Sequence, residues 1–205
     1  MGRGLSNCTN SVLDTSIISP LGKFYVHYDT TGSNAPNMDD LDDDGIPDYI
    51  YEISLAADSS YSILVGSLGY VDGANGADDI TDIFVFELNG SAYGWTRKVD
   101  NNCIETCIEV DNNFEEVNYY TQGLDAMKVT VIHEYFHTIQ LDYRCSFGSD
   151  GYFYELSSTW IEDVGYPDIN DYINFMTQSN STSNYYKYPE RDIDDTNGYS
   201  CALFG

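Results

Sequence analysis

Positive charge is scarce in this 205-residue chain, which has 8 lysines and arginines against 34 aspartates and glutamates and a net charge of −26. Nucleic acids and anionic membrane surfaces would repel such a protein, so both are excluded as partners, whereas cations are favoured. Long apolar runs are also missing: no stretch reaches the roughly 18 residues of a membrane span, so we expect no membrane insertion. An apolar content of 42% at this length nevertheless predicts one folded domain with a substantial core.

Cysteine is equally sparse, with five residues: Cys8, Cys103, Cys107, Cys145 and Cys201. The odd number leaves at least one of them without a partner inside this span. Cys103 and Cys107 are close enough in sequence to close a small disulfide loop, and they lack the second pair that a structural zinc knuckle requires. We therefore expect one disulfide and otherwise buried thiols, with no redox chemistry.

Both ends of the sequence lack the usual signals. The N-terminal stretch MGRGLSNCTNSVLD has no apolar core of the signal-peptide kind, which indicates either a leader already removed or a fragment. The C-terminal stretch DDTNGYSCALFG predicts a helix that is capped by Thr196 or Asn197 and is cut after one or two turns. Together with the acidic, lysine-poor composition, this predicts a secreted or extracellular protein whose domain is truncated at its C-terminus.

Hydrophobic periodicity predicts an α+β fold in one domain, with a sheet-rich lobe at 1–118 and a helical lobe at 119–205. The run Val129–Ile132 is β-branched, but it belongs to an apolar pattern of helical spacing, so we assign it to a helix. Strands are predicted at 22–32, 82–88, 92–99 and 106–112, and helices at 47–70, 125–143 and 152–167.

The stretch VIHEYFHTIQ carries the strongest chemical signal. On a helix, His133 and His137 lie on one face and would aim both imidazoles at one metal ion. Glu134 lies about 100° around the helix, where it can reach a water molecule near that metal without becoming a ligand. A catalytic zinc needs three protein ligands and an open position, so a third ligand must come from elsewhere.

No histidine follows this pair closely, so the third ligand has to be a carboxylate. The remaining histidine, His27, belongs to a predicted strand, where a lone histidine is usually structural. Glu155 lies 18 positions after His137 (155 − 137), on the next predicted helix, and Glu162 lies two turns further along the same face. We predict Glu155 as the ligand because of its spacing, with Glu162 as its rival.

Two motifs, HEYFH and YELSSTWIED, resemble those of gluzincin metallopeptidases, in which HExxH is joined by a glutamate about 18 to 20 residues on. A closer resemblance is to a group of bacterial secreted metallopeptidases that share HYDTTG, DDDGIPDYI, LGY, HEYFHTIQ and TWIED, in the order found here between residues 27 and 163. The resemblance implies a zincin-like fold, with a small mixed sheet followed by the HExxH helix and a second helix that carries the glutamate. It also implies that His133, His137 and Glu155 bind zinc and that Glu134 is the general base for the zinc-bound water.

Two supporting roles stay open at this point. The residues that could hold a histidine N–H are Thr159, Glu162 and Asp163. Gluzincins also use a tyrosine or histidine to stabilise the oxyanion, and this residue could lie past residue 205. The tyrosines available within the chain are Tyr185, Tyr186, Tyr188 and Tyr199.

The stretch DLDDDGIPD at 40–48 resembles a calcium-binding loop of the EF-hand or thrombospondin-repeat kind. Such a loop carries carboxylates at positions 1, 3, 5 and 9, glycine at position 6 and a ligating backbone carbonyl at position 7. These positions hold Asp40, Asp42, Asp44, Asp48, Gly45 and Ile46. Tyrosine replaces the usual glutamate at position 12, which favours a shorter loop that leads into the helix from Pro47. The alternative is an acidic turn that stabilises the start of that helix.

The sequence therefore predicts a secreted zinc metallopeptidase that hydrolyses peptide bonds in a protein or peptide substrate, with Zn²⁺ in the active site and Ca²⁺ as a stabilising ion. The alternative, from another class, is a non-catalytic calcium-binding surface or adhesion module on a degenerate zincin fold. The intact Glu134 argues against a loss of activity.

Overall fold

The computed structural model describes residues 12–73, 76–99, 101–146, 148–177, 187–193 and 198–204, which form a mixed α+β fold. Its strands are β1 Thr15–Ile18, β2 Phe24–Tyr28, β3 Thr81–Phe86, β4 Gly94–Lys98 and β5 Thr106–Asp111. They form one five-stranded sheet in the order β1-β2-β3-β5-β4. Strands β2, β3 and β5 run parallel, and the edge strands β1 and β4 pair antiparallel with their neighbours, so the predicted small mixed sheet is confirmed.

The α-helices in the described part of the chain are α1 Asp48–Tyr61, α2 Gly123–Tyr143, α3 Gly151–Gly165 and α4 Tyr172–Thr177. Helix α1 continues as a π-helical turn at Ser62–Ser67, and a 3₁₀ segment covers Tyr199–Phe204. Helix α1 packs against β2, α2 packs against β4 and β5, and α3 packs against α2. None of the described helices is long and apolar enough to cross a membrane.

The main core lies between one face of the sheet and helices α1 and α2. Every second side chain of the three parallel strands points into this core, where Val26, Ile83 and Val110 are fully buried. Residues of the core come from both predicted lobes, 1–118 and 119–205. The sheet and the helices therefore share one apolar interior.

Helix α2 lies at the centre of this arrangement, because every residue from Val129 to Ile139 is buried. A helix surrounded by protein does not need a single apolar stripe, and this one carries apolar residues all around its axis. The same burial explains how the β-branched run Val129–Ile132 forms a helix, since tertiary packing overrides a weak intrinsic propensity. Side chains presented from this helix are held in place by the close-packed core.

The predicted strands and long helices are observed with their ends shifted by a few residues. Two elements were not predicted, β1 and α4, because each is short and has no clear periodicity. Strand β1 is defined by its pairing with β2, in which Thr15 lies opposite Tyr28. The expected C-terminal helix is a 3₁₀ segment, and its predicted caps, Thr196 and Asn197, lie outside the described residues.

The small disulfide loop that Cys103 and Cys107 could have closed is not formed, and the expectation of a single disulfide is wrong. Cys103 pairs with Cys145, 42 residues further on, and the bond links the β4–β5 connection to the end of α2. Cys107 is also disulfide-bonded. It lies inside β5, whose extended backbone carries its side chain into a separate cluster on the other face of the sheet, away from Cys103. Cys201 is buried, as expected for a thiol outside the disulfides, and Cys8 lies outside the described residues.

Candidate active site

Three side chains of α2 and one of α3 meet at the floor of a cleft. On α2, His133, Glu134 and His137 are all buried, with exposed fractions of 6%, 7% and 6%. Their spacing brings the two imidazole rings to a centroid distance of 4.7 Å at an angle of 81°. The i and i+4 positions therefore do bring both rings to one point, as the helical periodicity requires.

Glu155 on α3 faces both histidines. Its Oε2 atom lies 3.3 Å from Nε2 of His133 and 3.4 Å from Nε2 of His137. One ligand atom from each of these three residues lies within 4.8 Å of the others, which is a spacing that a metal ion can bridge. Two imidazole nitrogens and one carboxylate are also the donor set of a catalytic zinc site with an open fourth position. The residues present thus fit zinc in both chemistry and spacing.

The outer nitrogens of the two rings are held by other acceptors. Nδ1 of His133 lies 2.5 Å from Oε1 of Glu162, and Nδ1 of His137 lies 2.6 Å from Oε1 of Gln140. Both acceptors favour the tautomer with hydrogen on Nδ1, which leaves the lone pair of Nε2 directed at the shared point. Ser158 adds a further contact to Nδ1 of His137 at 3.2 Å.

These contacts distinguish between the residues that the sequence left open. Glu162, the rival ligand, lies on the outer side of His133 and not at the shared point. Of the candidates for holding a histidine N–H, Glu162 takes that position, while Thr159 has a buried hydroxyl with no hydrogen-bond partner in the described structure. Gln140 was not predicted, although it lies one helical turn after His137, where a side chain can reach back to the ring.

The protonation states of the site are strongly coupled. Burial alone would lower the pKa of His133, but hydrogen bonds to Glu155 and Glu162 raise it well above its ordinary range. Burial alone would raise the pKa of Glu155, but hydrogen bonds to His133 and His137 hold it below its usual range. Burial raises the pKa of Glu162 to about 7. Protons and a divalent cation therefore compete for the same imidazole nitrogens, and acid favours the protons.

Glu134 points toward the cleft and is held from the edge strand β4. The Thr96 hydroxyl lies 2.7 Å from Oε2 of Glu134 and 2.8 Å from the main-chain carbonyl oxygen of the same residue. Gly94, two residues earlier, comes so close to α2 that an added Cβ would lie 3.1 Å from Cγ of Glu134. Neither residue was predicted, because the sequence does not show that β4 is the strand beside α2.

The cleft above these residues has a volume of about 470 Å³. Its walls combine the edge strand β4, with Tyr93 and Trp95, and the C-terminal elements, with Phe175 and Tyr199. The carboxyl of Asp171 also lines it, 5% exposed and hydrogen-bonded to the Thr121 hydroxyl. Acidic and aromatic side chains therefore surround this cleft.

Tyr199 is the tyrosine that the structure brings to this site. Its ring stacks on His133 at a centroid distance of 5.9 Å and an angle of 7°, and its hydroxyl contacts the Glu155 side chain. Gly198 allows this approach, since a Cβ there would lie 2.0 Å from the carbonyl oxygen of Tyr152 on α3. Burial, and then the charge of Glu155, raise the pKa of Tyr199, so its hydroxyl stays protonated at neutral pH.

The other aromatic and histidine candidates lie elsewhere. Tyr188 contacts Lys187 and Arg191 and is not among the described residues that line the cleft. Tyr185 and Tyr186 lie outside the described residues. His27 stacks on Phe84 and lies 2.8 Å from a carboxylate oxygen of Asp82, which is the structural role expected for it.

The predicted calcium loop places three of its four carboxylates together. Oxygens of Asp40, Asp42 and Asp48 lie within 4.8 Å of one another. Asp44 does not belong to this group, and its Oδ1 accepts a hydrogen bond from the Ile46 N–H at 2.8 Å. The Ile46 side chain packs on the main core and so anchors the loop, while the ligand role of its carbonyl stays a prediction. Gly45 has a φ of 87°, as the sharp turn at position 6 requires.

A third group of carboxylates was not predicted. Oxygens of Glu87, Asp111 and Glu116 also lie within 4.8 Å of one another. Asp111 is fully buried and accepts main-chain hydrogen bonds from Leu88 and Phe114, so it joins the ends of two loops. Burial raises the pKa of Glu116, and the neighbouring carboxylates add to that effect. Glu87 is distant in sequence from Asp111 and Glu116, and it meets them because β3 pairs with β5.

Comparisons of this chain with protein-family models, with curated proteins and with solved structures found no match. The functional assignment therefore depends on the residues and geometry described above.

Proposed function

We propose that this protein is a secreted zinc-dependent metallopeptidase with a zincin-like fold, which hydrolyses peptide bonds in a protein or peptide substrate. The observation that carries this proposal is the position of Glu155 Oε2, which lies within 3.4 Å of Nε2 of both His133 and His137. Both imidazoles are hydrogen-bonded through their outer nitrogens and direct their Nε2 atoms at one carboxylate oxygen, which supports a metal ion at the shared point.

The zinc ion would be held by His133, His137 and Glu155. When bound, zinc supplies Lewis acidity: it lowers the pKa of water toward about 7 and polarises a carbonyl group. The protein holds both imidazoles in the tautomer that such a metal needs, through Glu162 and Gln140. This preorganisation supports a permanent metal site and not an adventitious one.

Glu134 is the general base in this proposal. Its carboxylate takes a proton from the attacking water and then delivers it to the nitrogen of the leaving amine. Its position is consistent with that role, because it lies beside the two histidines, is buried from bulk solvent and is held by Thr96. No lysine or arginine forms an ion pair with Glu134 in the described structure, so the carboxylate is free to accept a proton.

Tyr199 is the residue proposed to stabilise the oxyanion. A protonated phenol at the edge of the site can donate a hydrogen bond to the negative oxygen that develops as water attacks the carbonyl. The raised pKa of Tyr199 supports this role, because the hydroxyl retains its proton. Its current contact with Glu155 would be exchanged for the substrate oxygen.

A calcium ion in the loop at 40–48 is proposed as a structural cofactor. Asp40, Asp42 and Asp48 would supply carboxylate oxygens, and the loop leads directly into α1, which packs on the sheet. Asp44 lies outside this group of carboxylates, so its role as a direct ligand would require a local rearrangement.

The proposal is tested with the zinc-loaded protein and fluorescein-labelled casein as a generic unfolded substrate. We expect one zinc per chain by elemental analysis, cleavage of casein, and loss of cleavage after treatment with a zinc chelator. Glu134→Gln should retain zinc and lose hydrolysis, while Glu115→Gln, a matched change at an exposed site, should behave as wild type. A folded protein that binds zinc and calcium without cleaving casein or a mixed peptide library would favour the alternative, a non-catalytic calcium-binding module on a zincin-like fold.

A further inference from the structure

We infer that Thr96 is a positioning residue for the general base Glu134. This inference rests on the proposed function, because it concerns how the same site holds its proton acceptor. Its basis is a contact between elements that are far apart in the chain: Thr96 belongs to the edge strand β4 and Glu134 to the central helix α2, 38 residues later.

The Thr96 hydroxyl lies between two oxygens of a single residue. It is 2.7 Å from Oε2 and 2.8 Å from the main-chain oxygen of Glu134. Both oxygens are acceptors and share the single hydrogen of this hydroxyl, which draws the end of the side chain toward its own backbone and restricts the torsions between them. A glutamate without this contact has several rotamers in the cleft, of which only some place the carboxylate beside the shared point of the histidines.

The backbone of β4 is shaped for this contact. Gly94 and Thr96 lie on the face of β4 toward the helix, opposite Val110 and Ile108, which are fully buried. A Cβ at Gly94 would lie 2.7 Å from Cγ2 of Thr130 and 2.9 Å from the carbonyl oxygen of Glu109, so a larger residue would push the strand away from α2. The close approach at Gly94 is therefore what brings the Thr96 hydroxyl within reach of Glu134.

The chemistry of threonine suits this position. Arg97 and Lys98 follow directly on the same strand, but their side chains reach Glu109 and the main chain of Cys145 instead of Glu134. A cationic partner would hold the carboxylate in an ion pair and make it a poorer proton acceptor. A neutral hydroxyl can fix the orientation of Glu134 without that penalty.

The test compares Thr96→Val, which keeps the shape and removes the hydroxyl, with Thr96→Ser, which keeps the hydroxyl. Steady-state cleavage of fluorescein-labelled casein by the zinc-loaded proteins gives kcat and KM, and elemental analysis gives the zinc content. We expect Thr96→Val to lower kcat about 10- to 100-fold, because the base is misplaced. KM should stay within about twofold, since an effect on the reaction step alone leaves substrate binding unchanged. Zinc should remain at one per chain, and Thr96→Ser should restore most of kcat.

The matched control is Thr15→Val, the same change at an exposed position on the opposite edge strand β1, which should leave kcat and KM unchanged. A thermal melt of each variant separates misfolding from misplacement of the base, and a crystal structure of zinc-loaded Thr96→Val shows where Glu134 points. Unchanged kcat in Thr96→Val, or an unmoved Glu134 carboxylate, would overturn the inference alone. Absence of casein cleavage by the zinc-loaded wild type would overturn the proposed function and this inference with it.

Discussion

Glutamates 155 and 162 offer the sharpest test of the metal site, because both are on α3 and both contact His133. We propose matched substitutions, Glu155→Gln and Glu162→Gln, which keep the size of each side chain and remove its charge. The Oε2 atom of Glu155 lies near Nε2 of both histidines, whereas Glu162 contacts only Nδ1 of His133. Zinc affinity should therefore fall much more in Glu155→Gln than in Glu162→Gln.

The expected magnitudes follow from the positions of the two carboxylates. Four-ligand zinc sites bind with roughly 10–16 kcal/mol, so one lost ligand costs about 2.5–4 kcal/mol, or roughly a 100- to 1,000-fold fall in affinity. Glu162→Gln changes an outer contact, and its amide oxygen can still accept the N–H of His133, so we expect a fall of about tenfold. In saturating zinc, Glu155→Gln should then lose about 2.7–4.1 kcal/mol of zinc-linked stabilisation, equivalent to roughly 5–16 °C in Tm.

The assay is a competition titration of each purified variant against a chelator of known zinc affinity, paired with thermal melts in zinc and in chelator. Melts in chelator measure the direct effect of each substitution on the fold. The difference between the two melts isolates the contribution of the metal, because only that part depends on zinc.

One result would refute the reasoning directly. The side chain of Glu162 is only 6% exposed, against 30% for Glu155, so burial alone would make Glu162 the more sensitive position. If Glu162→Gln empties the site while Glu155→Gln retains zinc with near wild-type affinity, then Glu155 is not a zinc ligand and its Oε2 contacts the histidines without binding the metal.

Three further predictions concern the oxyanion residue, the calcium loop and the disulfide. Tyr199→Phe should retain zinc and lower kcat on casein about 100- to 1,000-fold, and unchanged kcat would exclude Tyr199 as the oxyanion donor. A hundredfold excess of calcium over its Kd should raise Tm by roughly 5–10 °C, and magnesium should raise it less. Asp42→Asn should abolish most of this rise in Tm, whereas the control Asp43→Asn, outside the carboxylate group, should keep it. Equal Tm values in calcium and in chelator would show that the loop is only an acidic turn. Cys145→Ser opens the loop of 42 residues closed by Cys103 and should lower the free energy of unfolding in urea by about 4 kcal/mol, whereas a loss below about 1 kcal/mol would contradict the entropic argument.

Several features could be predicted from the sequence because they depend on local geometry. A helix brings residues i and i+4 to one face in any protein, so His133 and His137 had to converge once α2 formed. The spacing in the loop at 40–48 likewise predicted the group of Asp40, Asp42 and Asp48. Asp44 departs from its predicted place, and its Oδ1 accepts the Ile46 N–H within the loop.

Other features could not be predicted because they depend on which distant segments meet. Cys103 and Cys107 are close in sequence, but Cys107 lies inside β5 and Cys103 lies before it. The fold brings the segment after α2 to Cys103, which therefore pairs with Cys145. Strand β1 has too few residues for a pattern and becomes a strand only through its pairing with β2. In each case the pairing is decided by a partner in another segment of the fold, about which the periodicity of the segment itself carries no information.

By itself, the sequence determined the α+β composition, the central helix with its two histidines, and a choice of two glutamates for the third position. The spacing from His137 favoured Glu155, but Glu162 stayed its rival because it lies two turns further along the same helical face. Only the packing of α3 on α2 decided that Glu155 faces Nε2 of both histidines and Glu162 faces Nδ1 of one. The sheet order likewise decided that Thr96 meets Glu134, since an edge strand acquires its neighbours from the whole fold and not from its own residues.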